Sequence, residues 1–253
     1  MKTEWDYTNL ADAYLKRPDY ADEAIQKMLK ICKLKQDDKI CDIGAGVGHL
    51  AFMLAKRGYE VYAVEPNDVM RSNGIIRTQE IDLEDSVFWY EGSGEDTGLD
   101  PNRFSLITFG SSFNVVDRLM TLQEVRRIAK KQAWFSCMWN HRDIDDPLQK
   151  EVENIIKLFL PDYGYGLRRE DQSEFLKRSG YFSNLEFVEE NIDHRVSITD
   201  WVSAWRSHAT LQRQAADKFE RIVNEIETYL KTSFKTETLI VPYKTKMWVG
   251  QLI

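Results

Sequence analysis

Three glycines at alternate positions, Gly44, Gly46 and Gly48, constrain the fold of this 253-residue chain more than any other feature. The run before them, Lys39–Ile43, has the apolar character of a buried strand, and His49–Arg57 behind them reads as a helix. Glycines at such a junction let the backbone turn sharply and approach a ligand more closely than a Cβ would allow. The helix start that follows presents unpaired N–H groups. A dinucleotide fingerprint spaces its glycines as G-x-G-x-x-G. Here the third glycine arrives one residue early, and His49 stands in its place. An acidic residue, Asp42, lies two positions before the first glycine.

Written as D-x-G-x-G-x-G, residues 42–48 resemble motif I of the class I S-adenosylmethionine-dependent methyltransferases. Further pieces follow in the order that family uses. Glu60–Glu65 reads as a second strand ending on Glu65, an acidic side chain able to accept hydrogen bonds from both hydroxyls of a ribose. That geometry suits adenosylmethionine and NAD equally. Asn67–Thr78 reads as a helix capped by Asn67 or Asp68. The resemblance turns Pro66 and Met70 toward the same site, and adds Ala45 from the glycine turn. Ser86–Glu91 is a third strand, followed by a loop that resembles motif II of the family. Gly94, Glu95 and Asp96 would there hold the adenine amino group. Phe104–Gly110 is the fourth strand and runs into Ser111-Ser112-Phe113-Asn114. This resembles the family stretch beneath the methyl donor, with Gly110 and Ser111 at the donor and Asn114 in place of a usual histidine.

Composition narrows the alternatives. A net charge of −7 and a pI near 5.3 argue against a nucleic-acid backbone binder. No apolar run approaches the roughly 20 residues of a membrane helix. The N-terminus lacks a signal-peptide layout, so a cytoplasmic chain is expected. Cys32, Cys41 and Cys137 read as small buried hydrophobes in a reducing compartment, and neither they nor the four histidines have metal-ligand spacing.

Residues 1–38 read as a helical N-terminal cap, in which Tyr14-x-x-Arg17-Pro18-x-Tyr20 resembles an aromatic segment of small-molecule methyltransferases. Leu119–Lys130 reads as a helix and Gln132–Trp139 as the fifth strand. Residues 140–183 and 193–237 read as two insertions over the strand ends, where ligands bind in open α/β sheets. The first opens on Trp139-Asn140-His141-Arg142-Asp143, similar to a segment of the trans-aconitate type, and Pro147 suits a helix start. Asn184–Ile192 is the sixth strand, Thr199 a candidate N-cap, and Thr238–Leu252 the last strand. The Pro242-Tyr243-x-Thr245-x-x-Trp248 pattern is similar to the ending of the same subfamily and reads as sheet packing.

The resemblance implies an α/β fold: a Rossmann-like three-layer αβα sandwich around a seven-stranded, mostly parallel sheet with an antiparallel last strand, forming one domain over residues 1–253 with helical lid insertions. It implies methyl transfer from S-adenosyl-L-methionine, leaving S-adenosyl-L-homocysteine, to an oxygen or nitrogen of a small metabolite. Such a displacement asks chiefly for placement of the acceptor. His141 and Asn114 are the candidate catalytic residues. Tyr14, Arg17, Arg142, Arg168, Arg195 and Trp139 are the candidate acceptor residues, and bidentate arginines suit an anionic acceptor. A monomer or homodimer with no nucleic-acid or membrane partner is expected. An NAD-dependent oxidoreductase, a methyltransferase of macromolecules and a non-catalytic nucleoside-binding protein stay open.

Overall fold

The computed structural model describes residues 17–165 and 169–253. Tyr14 and Arg168 lie outside them. Strands β1 (Lys39–Ile43), β2 (Glu60–Val64), β3 (Val87–Tyr90), β4 (Phe104–Gly110), β5 (Ala129–Arg142), β6 (Phe182–Ser197) and β7 (Thr238–Leu252) form one sheet in the order 3-2-1-4-5-7-6. β7 runs antiparallel between β5 and β6, and the pairs among β1 to β5 are parallel. The connections are helices α1 (Asp22–Cys32), α2 (His49–Ala55), α3 (Asp68–Glu80), α4 (Arg118–Ile128), α5 (Pro147–Phe159), α6 (Ser173–Ser179), α7 (Ile198–Arg206), α8 (Ala209–Ala215) and α9 (Phe219–Ser233).

Alternation along the strands divides the core. Ile40, Val61, Ala63 and Leu106 face α1 and α2, whose buried side chains include Ile25, Met28, Leu50 and Leu54. Cys41, Tyr62, Ile107 and Phe135 face the opposite layer, where Leu122 and Val125 of α4 and Leu176 of α6 pack. Both faces of the central strands are covered, which is why they read as near-continuous apolar runs. All three cysteines are buried and free, as expected of small hydrophobes.

A third cluster stands beyond the sheet. α5, α7 and α9 bury Val152, Ile156, Val202, Ile222 and Ile226 against one another and against Leu239 and Val241 of β7. This cluster revises the expected bounds of the insertions. Residues 140–142 belong to β5, and α6 packs on the sheet rather than over it. Residues 193–197 continue β6, paired with β7 down to Ser197 opposite Thr238. Thr199 therefore lies inside α7, and Ser197 is its N-cap, accepting from the Asp200 N–H at 2.9 Å. β5, β6 and β7 overhang the parallel strands, and the helical cluster is fastened to that overhang. No helix among the described residues is long and apolar enough to cross a membrane.

Candidate active site

At the C-terminal ends of β1, β2 and β4 a cavity of about 700 Å³ opens beneath the third cluster. Its size is within the usual range for small-molecule sites. The glycine turn forms one end. The Gly44 and Ala45 N–H groups donate to the Val64 carbonyl at 2.8 and 3.0 Å, tying the turn to β2. Gly44 has φ +67°, and a Cβ there would fall 2.5 Å from the Ser112 Cβ. Gly46, at φ +59°, has open space on its Cβ side, with only the Met70 methyl 4.0 Å away.

Glu65 is buried just past β2 and held by two backbone donors. The Gly46 N–H donates to Oε2 at 2.8 Å and the Asn67 N–H to Oε1 at 2.9 Å. Burial raises its pKa, while the two amides pull the other way. Asn67 in turn caps α3, its side chain accepting from the Val69 and Met70 N–H groups. Each carboxylate oxygen keeps a second lone pair for a ligand hydroxyl. Asp42 is 1% exposed and accepts from the Thr108 hydroxyl at 2.8 Å through Oδ1. Its Oδ2 has no well-formed hydrogen bond among the described residues. Burial pushes its pKa up to about 7, against the Thr108 hydroxyl and the Ala51 amide.

The facing wall comes from the loops after β3 and β4. Gly94 presses on Val116 and Thr121, where a Cβ would come within 2.8 and 2.9 Å of side-chain atoms. Glu95 borders the cavity and accepts from the Asp117 N–H at 2.7 Å. Asp96 does not share this role. It is exposed, and its carboxylate closes the local turn by accepting from the Gly98 N–H. Ser111 has φ +62°, a conformation that costs a non-glycine residue of order 1 kcal/mol. Its N–H donates to the Met138 carbonyl at 2.8 Å, and its hydroxyl pairs with Tyr20 at 3.0 Å. Gly110 meets the same Tyr20 hydroxyl, 2.9 Å from where a Cβ would sit.

The other end is built by β5, β7 and α7. Asn140 donates to the Pro18 and Asp19 carbonyls and accepts from the Thr245 hydroxyl at 2.7 Å. Thr245 also accepts from the Ala21 N–H, so the segment through Arg17, Pro18 and Tyr20 is bolted over the cavity mouth. The tail pattern that reads as plain sheet packing thus holds the cap in place. Asn114 borders the cavity, with Oδ1 fixed by the Trp139 indole N–H at 2.8 Å. Arg142 is buried, its Nη2 donating to Glu153 and to the Tyr165 hydroxyl. Arg17 donates to the Ser207 carbonyl at 3.0 Å.

Several expected residues fall elsewhere. His141 does not border the cavity, because side chains alternate along β5 and those of Asn140 and Arg142 take the cavity face. Trp139 sits behind Asn114 as a positioning residue rather than a contact. Arg195 is exposed on β6 opposite Ile240, on the face turned away from the helical cluster. Conversely, Trp201, Trp205, His208 and Tyr243 border the cavity, and of these Trp205 carries no local sequence signal. Only the P-Y-x-T pattern offered a sequence signal for Tyr243. Of the charged residues on the lining, Asp42 and Glu65 flank the glycine turn, Glu95 and Asp117 come from the loops after β3 and β4, Arg142 stands against Trp205, and Arg17 is bonded to the Ser207 carbonyl. No cluster of side chains suited to a metal occurs among the described residues.

Residues 41–137 match a family model described as a methyltransferase domain. An uncharacterized methyltransferase of Mycobacterium tuberculosis is 30% identical over 140 residues, covering 55% of this chain and 54% of that protein. The chain thus spans about half the length of such curated relatives. A candidate type II methyltransferase from Anaeromyxobacter dehalogenans superposes with a TM-score of 0.68 at 20% identity, over 93% of this chain and 97% of that one. A geranyl diphosphate C-methyltransferase from Streptomyces coelicolor, solved with magnesium, geranyl diphosphate and S-adenosylhomocysteine, gives 0.50 at 15% identity over 91% and 78%. At these identities the two structures speak to the fold, the Rossmann-like arrangement of the methyltransferases.

Proposed function

We propose that this chain is an S-adenosylmethionine-dependent methyltransferase acting on an oxygen or nitrogen of a small, anionic metabolite. The observation that carries the reading is Glu65, a buried carboxylate fixed by the Gly46 and Asn67 amides at the lip of a glycine turn. The match over residues 41–137 covers the same elements and supports it. The fit of the cofactor rests on three features. Glu65 offers two acceptors for a ribose, Gly46 leaves its Cβ side open, and Asp42 keeps a buried oxygen without a well-formed hydrogen bond. Glu95, the neighbouring Gly94 backbone and Ser93 form the wall suited to the adenine.

When bound, S-adenosylmethionine supplies a methyl group on a positively charged sulfur that departs as a neutral thioether. The carboxylates of Glu65, Glu95 and Asp117 on the lining favour that positive charge, and Asp42 adds less because burial raises its pKa to about 7. Gly110, Ser111 and Asn114 line the same cavity from the end of β4 and the loop behind it. Asn114, oriented by Trp139, can donate to an acceptor and fix its nucleophile in line, within roughly 3–3.5 Å of the reacting carbon. Arg17 and Arg142 favour an anionic group on the acceptor at the far end. Trp201 and Trp205 of the helical cluster and Pro18 and Tyr20 of the bolted cap wall the space between.

Calorimetric titration with S-adenosylhomocysteine and, separately, NADH tests the cofactor. Binding of the first and not the second is expected; the reverse overturns the reading. Tritiated methyl transfer into a metabolite extract then tests the chemistry, with label expected in small anionic products.

A further inference from the structure

Two buried N–H donors at the arginine end of the cavity have no partner among the described residues: Nη1 of Arg142 and Nε1 of Trp205. Both side chains border the cavity. They also touch, with the guanidinium carbon 4.7 Å from the Trp205 ring centroid. Arg142 is 9% exposed and cannot swing out to satisfy Nη1, because Nη2 is committed to Glu153 and, at 2.7 Å, to the Tyr165 hydroxyl. A buried donor left unsatisfied is costly, more so on a charged group, and native interiors retain few. A third donor stands beside them. The Tyr243 hydroxyl accepts from the Trp201 indole at 3.1 Å and also meets the Gln149 side-chain amide, and its own hydrogen remains to give. Tyr243 is opposite Arg142 in the β5–β7 register, and the charges of Arg142 and Arg17 both act on it.

We propose that Arg142 Nη1, Trp205 Nε1 and the Tyr243 hydroxyl form a subsite for a carboxylate group of the methyl acceptor. This rests on the methyl-transfer reading for the word acceptor, and on the three donors for the carboxylate. A carboxylate presents two oxygens and about four lone pairs, of which these donors can take three. A phosphate dianion asks for more positive charge than Arg142 supplies, since Glu153 already shares it. The indole rings of Trp201 and Trp205 with Ala204 line the adjoining wall, so the group carrying the carboxylate is flat and apolar.

The test titrates the full chain with benzoate, benzamide and inorganic phosphate by calorimetry, with and without saturating S-adenosylhomocysteine. Benzoate is expected to bind at least about tenfold tighter than benzamide, and Trp205→Phe and Tyr243→Phe each to weaken benzoate about tenfold. Both substitutions keep a ring and remove one donor, and each is expected to leave S-adenosylhomocysteine affinity within about twofold. Equal binding of benzoate and benzamide, preference for phosphate, or unchanged benzoate affinity in both variants overturns the subsite. A chain that holds benzoate but ignores S-adenosylhomocysteine keeps the anion subsite and loses the methyl-transfer reading alone.

Discussion

Replacing Glu65 by Gln separates the ligand role of this side chain from its structural one. The carboxylate accepts one backbone N–H on each oxygen, from Gly46 at 2.8 Å and Asn67 at 2.9 Å. Glutamine keeps one carbonyl oxygen and sets an amide NH2 against the other backbone N–H. One internal bond to a charged acceptor is lost, and one of the two bonds proposed to a ribose would be lost with it. Each is worth about 1.5–3 kcal/mol. Neutralising the buried group also removes the desolvation that raises the Glu65 pKa, so the stability loss falls toward the lower figure. The ribose bond appears in binding, where about 1.5–3 kcal/mol is a 10- to 150-fold weaker Kd. Calorimetry with S-adenosylhomocysteine at pH 7.5 measures the second effect, and urea denaturation of the same preparation measures the first. Asp96→Asn is the internal control: Asp96 is exposed and off the cavity, so affinity should stay within about twofold of wild type. A folded Glu65→Gln protein with wild-type affinity would refute the reasoning, as would an equal loss in Asp96→Asn.

Three further perturbations follow from the geometry. Gly44→Ala places a Cβ 2.5 Å from the Ser112 Cβ in a residue at φ +67°, and is expected to lose about 2–5 kcal/mol in urea denaturation; a loss below about 1 kcal/mol removes the packing argument. Thr245→Val deletes the hydroxyl that joins Ala21 to Asn140, leaving buried polar groups unsatisfied at about 1–3 kcal/mol. Hydrogen exchange at the Ala21 amide should then quicken by at least about tenfold while the β7 amides hold, and uniform quickening would count against a local clamp. Asp42 has a folded pKa of about 7 and an ordinary unfolded one near 3.9, so its proton is held more tightly when folded. Stability is full below pH 4 and is lost as pH rises toward 7, by up to about 4 kcal/mol. Asp42→Asn should flatten that segment of the stability–pH curve and raise stability at pH 8; an unchanged slope between pH 4 and 7 shows that Asp42 ionises normally.

What the chain order dictates by itself is the parallel half of the sheet and the glycine end of the site. Lys39–Ile43, Phe104–Gly110, Thr238–Leu252 and the helix start at Pro147 are legible to the residue, because apolar period, proline and turn residues act over a few positions. The glycine turn and Glu65 follow for the same reason: a strand end, a tight turn and a helix start lie within a few residues of each other. The arginine end is different. Nothing local distinguishes His141 from Arg142. Only the pairing of β5 with β7, which sets Asn140 against Thr245 and Arg142 against Tyr243, decides which alternate side chains reach the cavity. Likewise Arg195 and Trp205 lie only ten residues apart, and β6 turns the first outward while α7 brings the second to the cavity wall. Which side chains of β5 meet which of β7 is a property of the antiparallel register between them, so the arginine end of the cavity exists only once β7 has been inserted.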